Sequence, residues 1–337
     1  MWLVRPAGPE DHGDILALAE SREGHISSTL PARPDLLAAR LDLARQSFLN
    51  AGKPGSHRFL FVIEDARTGE LKGVAGIDSR AGNGQPFYNY RRDALIHASH
   101  ELGIARRVDV LYPSHALTDL SQLCTFVIAP ELRDSEAFEL LSRARVLFIA
   151  DHRESFTGDL ISEIPGAEAT DGSVPFWDSL GRHFFNMDFA TADHYSATHS
   201  KTFIAELMPH NPIYVSLLSD AAREAMGQCH RLSRQTCELL TREGFAPTDY
   251  VDIFDGGPVL KAHTNSLRTL VTSHRAELHG QEDDQGDLCL IAGGRGEQFR
   301  CTLAPASTSL QGAVRVRPAV WQALGLSAGD PVRVAAL

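Results

Sequence analysis

The sequence predicts a mixed α/β (α+β) fold, a sheet flanked by helices and followed by a small C-terminal β module. Three observations carry this. β-rich and helical runs alternate along most of the chain, the pattern of a sheet covered by helices. Two β-rich runs, "HRFLFVIED" and "LKGVAGIDS", are joined by the short glycine-containing turn "ARTGE", a hairpin signal that makes part of the sheet antiparallel. Beyond about residue 275 the composition becomes polar and acidic, then resumes as short β-rich segments around one small helix. The chain has 337 residues, 43% of them hydrophobic, enough to bury one elaborated domain or two. The expected division is 1–275, with an insertion at about 151–200, and 276–337, a linker and the small β module.

Taken in order, "MWLVRPA" reads as a first strand. "PEDHGDILALAES" follows as a helix behind an acidic first turn, with Ile15, Leu16, Leu18 and Ala19 at helical spacing. "RPDLLAARLDLARQSFLN" is a second helix, with Pro34 near its start and Leu37, Leu41, Ala44 and Phe48 on one stripe. After the hairpin, "RAGNGQPFYNYRRDALIHASHELGI" reads as a long loop that resumes a helical pattern. A central strand from Leu123 to Ile128 then turns at Pro130 into a helix that buries Leu140, Leu141, Ala144, Leu147 and Phe148. From Asp151 to Ser200 the pattern weakens into turns and the aromatic-rich "PFWDSLGRHFFNMDF". Next, "KTFIAELMP" reads as a strand, "NPIYVSLLSDAAREAMGQ" as a helix, "RQTCELLTREGF" as a helix stopped by Gly244, and "YVDIFDGGP" as a strand with a glycine turn.

Composition excludes several classes of function. The net charge of -11 opposes general nucleic-acid binding, which needs a basic surplus to neutralise phosphates, whereas an acidic protein can focus a cationic small substrate. No apolar run approaches the roughly 20 residues of a membrane span, and acidic residues stand where a signal peptide would continue its apolar core. The expectation is a cytoplasmic protein outside the membrane. Five cysteines, Cys124, Cys229, Cys237, Cys289 and Cys301, contain no C-x-x-C pair, so buried free thiols are expected. His97 with His100, and His194 with His199, match no recognised zinc spacing, and no metal is expected.

His230, in the connection "GQCHR", is the leading candidate for proton transfer, since imidazole gains and loses protons near neutral pH. With fifteen histidines present, a surface or capping role is the plainer alternative for any one of them. Adjacent Cys229 would point away from it and reads as structural. Glu206, Asp252 and Asp255 could hold a guanidinium or ammonium group, although turn capping by Asp255 and ion pairing of Glu206 explain them about as well. Tyr88, Asn89 and Tyr90 in "PFYNYRR" would line a pocket or pack. The turn "APELRDSEAFELL" stands where a strand–turn–helix phosphate cradle would lie, yet it has no glycine and places Asp134 and Glu136 near any bound anion.

The order of elements resembles the acyl-CoA N-acyltransferase (GNAT-like) fold. More specifically, "QPFYNYRRDALIHASHEL", "PFWDSLGRHFFNMDF", "FIAELMPHNPIYVSLL", "GQCHR" and "EGFAPTDYVDIFDGGPVL" resemble the bacterial arginine N-succinyltransferase family over about residues 85–260. The C-terminal segment resembles that of alpha-type subunits found with a beta partner. The resemblance implies transfer of succinyl from succinyl-CoA, a co-substrate and not a tightly bound cofactor, to the α-amino group of L-arginine in arginine catabolism, with ornithine as a second substrate. It implies that His230 is the proton donor, in the place of the family's "GQVHP" histidine. Phe126 after "LCT" would contact succinyl-CoA, with Cys124 and Arg133 beside it. Single-subunit members have a turn resembling "WRKEGNGYLL"; this chain, like alpha-type members, has Glu136 and Phe138 at its glycine positions. Glycine lets backbone N–H groups approach pyrophosphate, while Glu136 adds like charge and Phe138 adds bulk. Two readings follow: a catalytic subunit of an oligomer, and a catalytically impaired partner of a beta-type subunit.

Overall fold

A computed structural model of the chain describes residues 1–21, 30, 32–198, 202–281, 285–308 and 312–337; His199 and the acidic run 282–284 lie outside them. The N-terminal half begins as the sequence predicts. Strand β1 (Trp2–Pro6) leads to helix α1 (His12–Glu20), then to α2 (Pro34–Leu49), whose Pro34 occupies the first turn and whose Leu37, Leu41, Ala44 and Phe48 are buried. β2 (Arg58–Asp65) and β3 (Leu71–Asp78) form the expected antiparallel hairpin.

The segment expected to be a loop and then helical is instead β4 (Asn89–Ser99), paired over its whole length with β5 (Ile104–Ser114). Ala94, Leu95 and Ala98 are good helix formers, and their spacing imitates a helix. The outer half of this ribbon is largely exposed, so it lacks the alternation of a half-buried strand, and cross-strand pairing decides its conformation. β6 (Ser121–Ile128) is the expected central strand. After it α3 (Glu136–Asp151) buries nearly every side chain from Ala137 to Ile149, as a helix covered on all sides must. The weakly patterned segment 151–200 contains β7 (Asp159–Glu163), which lies inside the sheet between β6 and β10 (Pro258–His263).

The aromatics that follow β7 pack as expected. Val174, Phe176, Trp177, Phe185 and Phe189 build a second core, with α4 (Arg182–Phe185) and α5 (Phe189–Thr198). The strand expected for "KTFIAELMP" is a helix, α6 (Thr202–Leu207): Ile204 and Met208, four apart, are buried, while Glu206 and Leu207 face outward. The helix expected for "NPIYVSLLSDAAREAMGQ" divides into β8 (Ile213–Tyr214), a 3₁₀ turn and α7 (Asp220–Ala225), whose N-cap Ser219 accepts the Ala222 N–H. α8 (Arg234–Glu243) ends at Gly244 with φ 105°, and β9 (Ala246–Asp252) runs antiparallel to β10.

After α9 (Arg268–Thr272), the strands β11 (His274–Gly280), β12 (Asp287–Gly293), β13 (Arg300–Thr308), β14 (Ala313–Val316) and, beyond α10 (Pro318–Leu324), β15 (Pro331–Ala336) pair in a closed ring. Leu278, Ile291, Val314 and Val334 fill it. The ring is continuous with the main sheet through antiparallel pairing of β13 with β1, Leu3 opposite Thr302 and Val4 opposite Cys301. Alternate residues point the other way, so Leu290 and Ala335 join the core around α3. In that core Phe148 meets Phe48, Phe61 and Phe299 edge-on at 5.6, 5.1 and 5.2 Å, contacts worth about 0.5–1.5 kcal/mol each beyond burial.

Candidate active site

β6 and β7 run parallel but pair only at Ser121–Leu160 and Gln122–Ile161; beyond these residues they separate. On its other side β6 carries a bulge. Its register with β3 jumps from Cys124 opposite Gly76 to Val127 opposite Val74, so Thr125 and Phe126 face Ala75 alone. Thr125 has φ +52°, a left-handed conformation that costs a β-branched residue on the order of 1–3 kcal/mol. Gly76 leaves room for the bulge, since a Cβ there would stand 3.0 Å from the Cys124 sulfur. The divergence opens a cleft lined by Cys124 and Phe126 on one side, Arg133 and Phe138 at the turn, and Asp252 and Asp255 opposite. Five of the site residues singled out from the sequence, Cys124, Phe126, Arg133, Asp252 and Asp255, thus line one cleft; His230 lies behind its wall, where its neighbours Leu232 and Ser233 and its backbone partner Pro165 line the same cleft.

His230 is 2% exposed and held on all sides. Its backbone N–H donates to the Pro165 carbonyl at 2.7 Å, and Cys229 bridges to Gly166, so the strand-like segment cannot rotate. Nδ1 accepts the Leu232 backbone N–H at 3.2 Å; the neutral ring therefore carries its proton on Nε2, which donates to Glu168 Oε2 at 2.9 Å. Cys229 is partly buried and packs against the main core. Its thiol partners that of Cys237, which burial pushes up to about 12, away from the thiolate that a nucleophile needs.

Asp255 is buried and receives two backbone N–H groups, Gly166 on Oδ2 at 2.7 Å and Gly257 on Oδ1 at 2.8 Å. Burial and the neighbouring Asp252 raise it well above the usual carboxylate range despite these donors. Asp252 caps the turn, accepting from Phe254 and Asp255 N–H at 2.7 and 2.9 Å. The capping role weighed from the sequence is therefore present, and both carboxyls also border the cleft. Glycine is required here: a Cβ on Gly257 would lie 2.1 Å from the Ile164 carbonyl oxygen. Asn89 faces Asp252 across β4 and β9 and donates to Glu163, a cleft residue, at 2.8 Å; its side-chain oxygen is buried without a partner.

Not every expected residue meets the cleft. Tyr90 is buried against Phe176 in the second core, where burial raises its hydroxyl, and Tyr88 packs at the edge of that core. Glu206 is exposed on α6. The turn after β6 is self-satisfied: Ser135 caps α3, its hydroxyl accepting the Ala137 N–H at 3.3 Å and its carbonyl the Phe138 N–H at 3.0 Å. Phe138 folds back on Phe126 with ring centroids 5.0 Å apart. Glu168 and Arg145 were not legible as site residues. Glu168 sits in a turn 62 residues from its histidine partner, and Arg145 occupies a helical position like any other. Among the described residues no group of three or more His, Cys, Asp or Glu could hold a metal ion, and no helix is long and apolar enough to cross a membrane.

Comparison with known proteins adds the following. A family model described as the arginine N-succinyltransferase beta subunit matches residues 2–269, and one for the C-terminal domain of that subunit matches 274–336. An arginine N-succinyltransferase of Yersinia pestis (strain Pestoides F) is 37% identical over 345 residues, covering 100% of this chain and 98% of the relative. The arginine N-succinyltransferase subunit alpha of Pseudomonas aeruginosa is 37% identical over 339 residues, covering 100% of both. The solved structure of the arginine/ornithine succinyltransferase subunit AI from Pseudomonas aeruginosa superposes with a TM-score of 0.92 at 34% identity, covering 100% of this chain and 98% of that one.

Proposed function

The chain belongs to the arginine N-succinyltransferase family, and from that premise we propose that it is an N-acyltransferase, moving succinyl from succinyl-CoA to the α-amino group of L-arginine or ornithine. We assign it to the alpha type, working in an oligomer with a beta-type subunit; full-length similarity to a relative named subunit alpha supports this. The observation that carries the reading is the open β6–β7 pair, with the bulge at Phe126 on one wall and the His230–Glu168 pair beside the other.

That geometry suits acyl transfer. An acyl thioester lies along β6 near Phe126, whose backbone meets the oxyanion of the tetrahedral intermediate. The substrate ammonium sheds a proton, and the free amine attacks the thioester carbonyl. As the C–N bond forms, the amine's second proton passes to the neutral His230 ring, whose imidazolium Glu168 stabilises, and as the C–S bond breaks the CoA thiolate takes that proton, the ammonium's first proton having gone to solvent. Asp252 and Asp255 border the space that the cationic amino acid would occupy, and the acidic surface attracts such a substrate. Arg133 is the cleft cation at the pyrophosphate end; the capped start of α3 offers that group fewer free N–H donors than a glycine turn would.

The test is thiol release from succinyl-CoA with arginine or ornithine, using this chain alone, a beta-type subunit alone and the two together. Activity is expected to depend on this chain and to fall about 10²–10⁴-fold in His230→Ala. Activity only in the mixture, indifferent to His230→Ala, would make the chain a non-catalytic partner.

A further inference from the structure

Three arginines are buried almost completely among the described residues, and they are not alike. Arg40 pairs with buried Asp78 and Arg143 with buried Glu243. Arg145 has no carboxylate. It is 2% exposed, and its partners are all neutral: Nε donates to the Ser142 carbonyl at 3.2 Å, Nη2 to the Ser142 hydroxyl at 3.1 Å, and Nη1 to the carbonyls of Gly76 and Cys124 at 3.3 and 3.5 Å. A guanidinium has five N–H groups, and these bonds use four. Burial lowers it to about 10 for want of a countercharge.

Its position is specific. Gly76 and Cys124 are the register pair at which the β6 bulge begins, and the guanidinium carbon lies 5.1 Å from the centre of the Phe126 ring. Arg145 also lines the cleft. A buried cation is therefore held behind the wall along which the acyl group is proposed to lie, with its charge uncompensated by the protein. Such a charge is tolerated where a ligand supplies the opposite one.

We propose that Arg145 is the counter-ion for the free carboxylate at the far end of the acyl group, and so makes the cleft selective for a dicarboxylic acyl-CoA over a neutral one. This rests on the proposed acyl transfer at β6. A succinyl group carries its carboxylate two methylenes beyond the thioester carbonyl. Butyryl has the same length and ends in a methyl group, which would leave Arg145 unpaired.

The experiment compares kcat/KM for succinyl-CoA and butyryl-CoA with arginine as acceptor, in the wild-type assembly and with Arg145→Met and Arg145→Lys. The wild type should prefer succinyl-CoA. Arg145→Met, which keeps bulk, should lose about 10–150-fold with succinyl-CoA, as expected for a charged hydrogen bond, while butyryl-CoA turnover changes little. Arg145→Lys, which keeps the charge without the fork, should fall between. Calorimetric titration of both thioesters into each variant provides the same ratio from binding and shows whether the variant is folded. A ratio unchanged by Arg145→Met, with both thioesters losing equally, would reduce Arg145 to a structural support of the bulge. Indifference of the wild type to the two thioesters would overturn the inference and leave acyl transfer standing, whereas no thiol release from any acyl-CoA would overturn the proposed function and this inference together.

Discussion

Glu168 does more than satisfy a ring nitrogen. It is the one group that receives the Nε2 proton of His230, and it lies on a turn with no regular secondary structure. Glu168→Gln keeps a hydrogen-bond acceptor for that proton and removes the charge that would stabilise an imidazolium. The expected outcome is a kcat about 10–100-fold lower, less than the roughly 10²–10⁴-fold that general acid–base catalysis contributes because the imidazole itself is kept, with KM for the amino acid little changed. Steady-state kinetics decide it; a rise in KM with kcat intact would place Glu168 in amino-acid binding. This residue also marks the limit of reading a site from sequence. His230 stood out because it lies in a connection, where side chains commonly reach a site, and imidazole exchanges protons near neutral pH; the same pass over the sequence found Asp252 and Asp255 beside a glycine turn. Glu168 and Arg145 carry no local oddity. Their roles arise only from what the fold sets beside them, and Glu206 shows the converse, a carboxylate assigned to a strand that proved to be the outer face of a helix.

Among elements, the end of β3 is tied to its surroundings by one carboxylate. Asp78 accepts from Arg40 on α2 at 3.2 Å, from Arg58 on β2 at 3.2 and 3.3 Å, and from Asn83 in the following loop at 2.7 Å. Burial alone would raise Asp78, but the charges of Arg40 and Arg58 and these hydrogen bonds outweigh it and hold the carboxyl below its usual range. A depressed carboxylate stabilises the fold at pH above its unfolded value of about 3.9, and that contribution is lost as pH falls through the folded value. Asp78→Asn should destabilise by about 3–5 kcal/mol at neutral pH, because Arg40 already has two unpartnered nitrogens and would be left as a buried lone charge. Denaturant midpoints taken from pH 7 down to pH 2 check both parts: the gap between wild type and variant should close in acid. The elements that were legible are of two kinds: α1, α2 and α8 bury one face and show its period, whereas β2, β3, β6 and α3 are buried at nearly every position and show as apolar runs bounded by turns. β4, β5 and β7 were not. The ribbon of β4 and β5 is stabilised by the pairing of its two strands, which no single-strand pattern records, and β7 is a five-residue strand buried at three successive positions, too short to separate from the turns around it.

At the scale of the molecule, the C-terminal ring of strands is a structural part of the acyltransferase half in spite of the change in composition that precedes it. β13 covers the edge of β1, Leu290, Phe299, Cys301 and Ala335 enter the core around α3, and Arg143 of α3 donates to the Ala336 carbonyl at 2.7 Å. Burying one large apolar side chain contributes about 1.5–3 kcal/mol, so removing several of these approaches the roughly 5–15 kcal/mol by which a domain is stable at all. α3 would then expose the face that these residues cover, and β1 would become an open edge. Because α3 also carries Phe138 and Arg145 to the cleft, the ring supports the site without touching it. A chain ending at residue 273 is therefore expected to lose cooperative unfolding and to self-associate. Thermal melting followed by circular dichroism and size-exclusion chromatography would test this. A truncated chain that stays monodisperse and melts within a few degrees of the full one would show that the N-terminal half closes its core unaided, and that the ring serves some purpose other than holding α3 over the cleft.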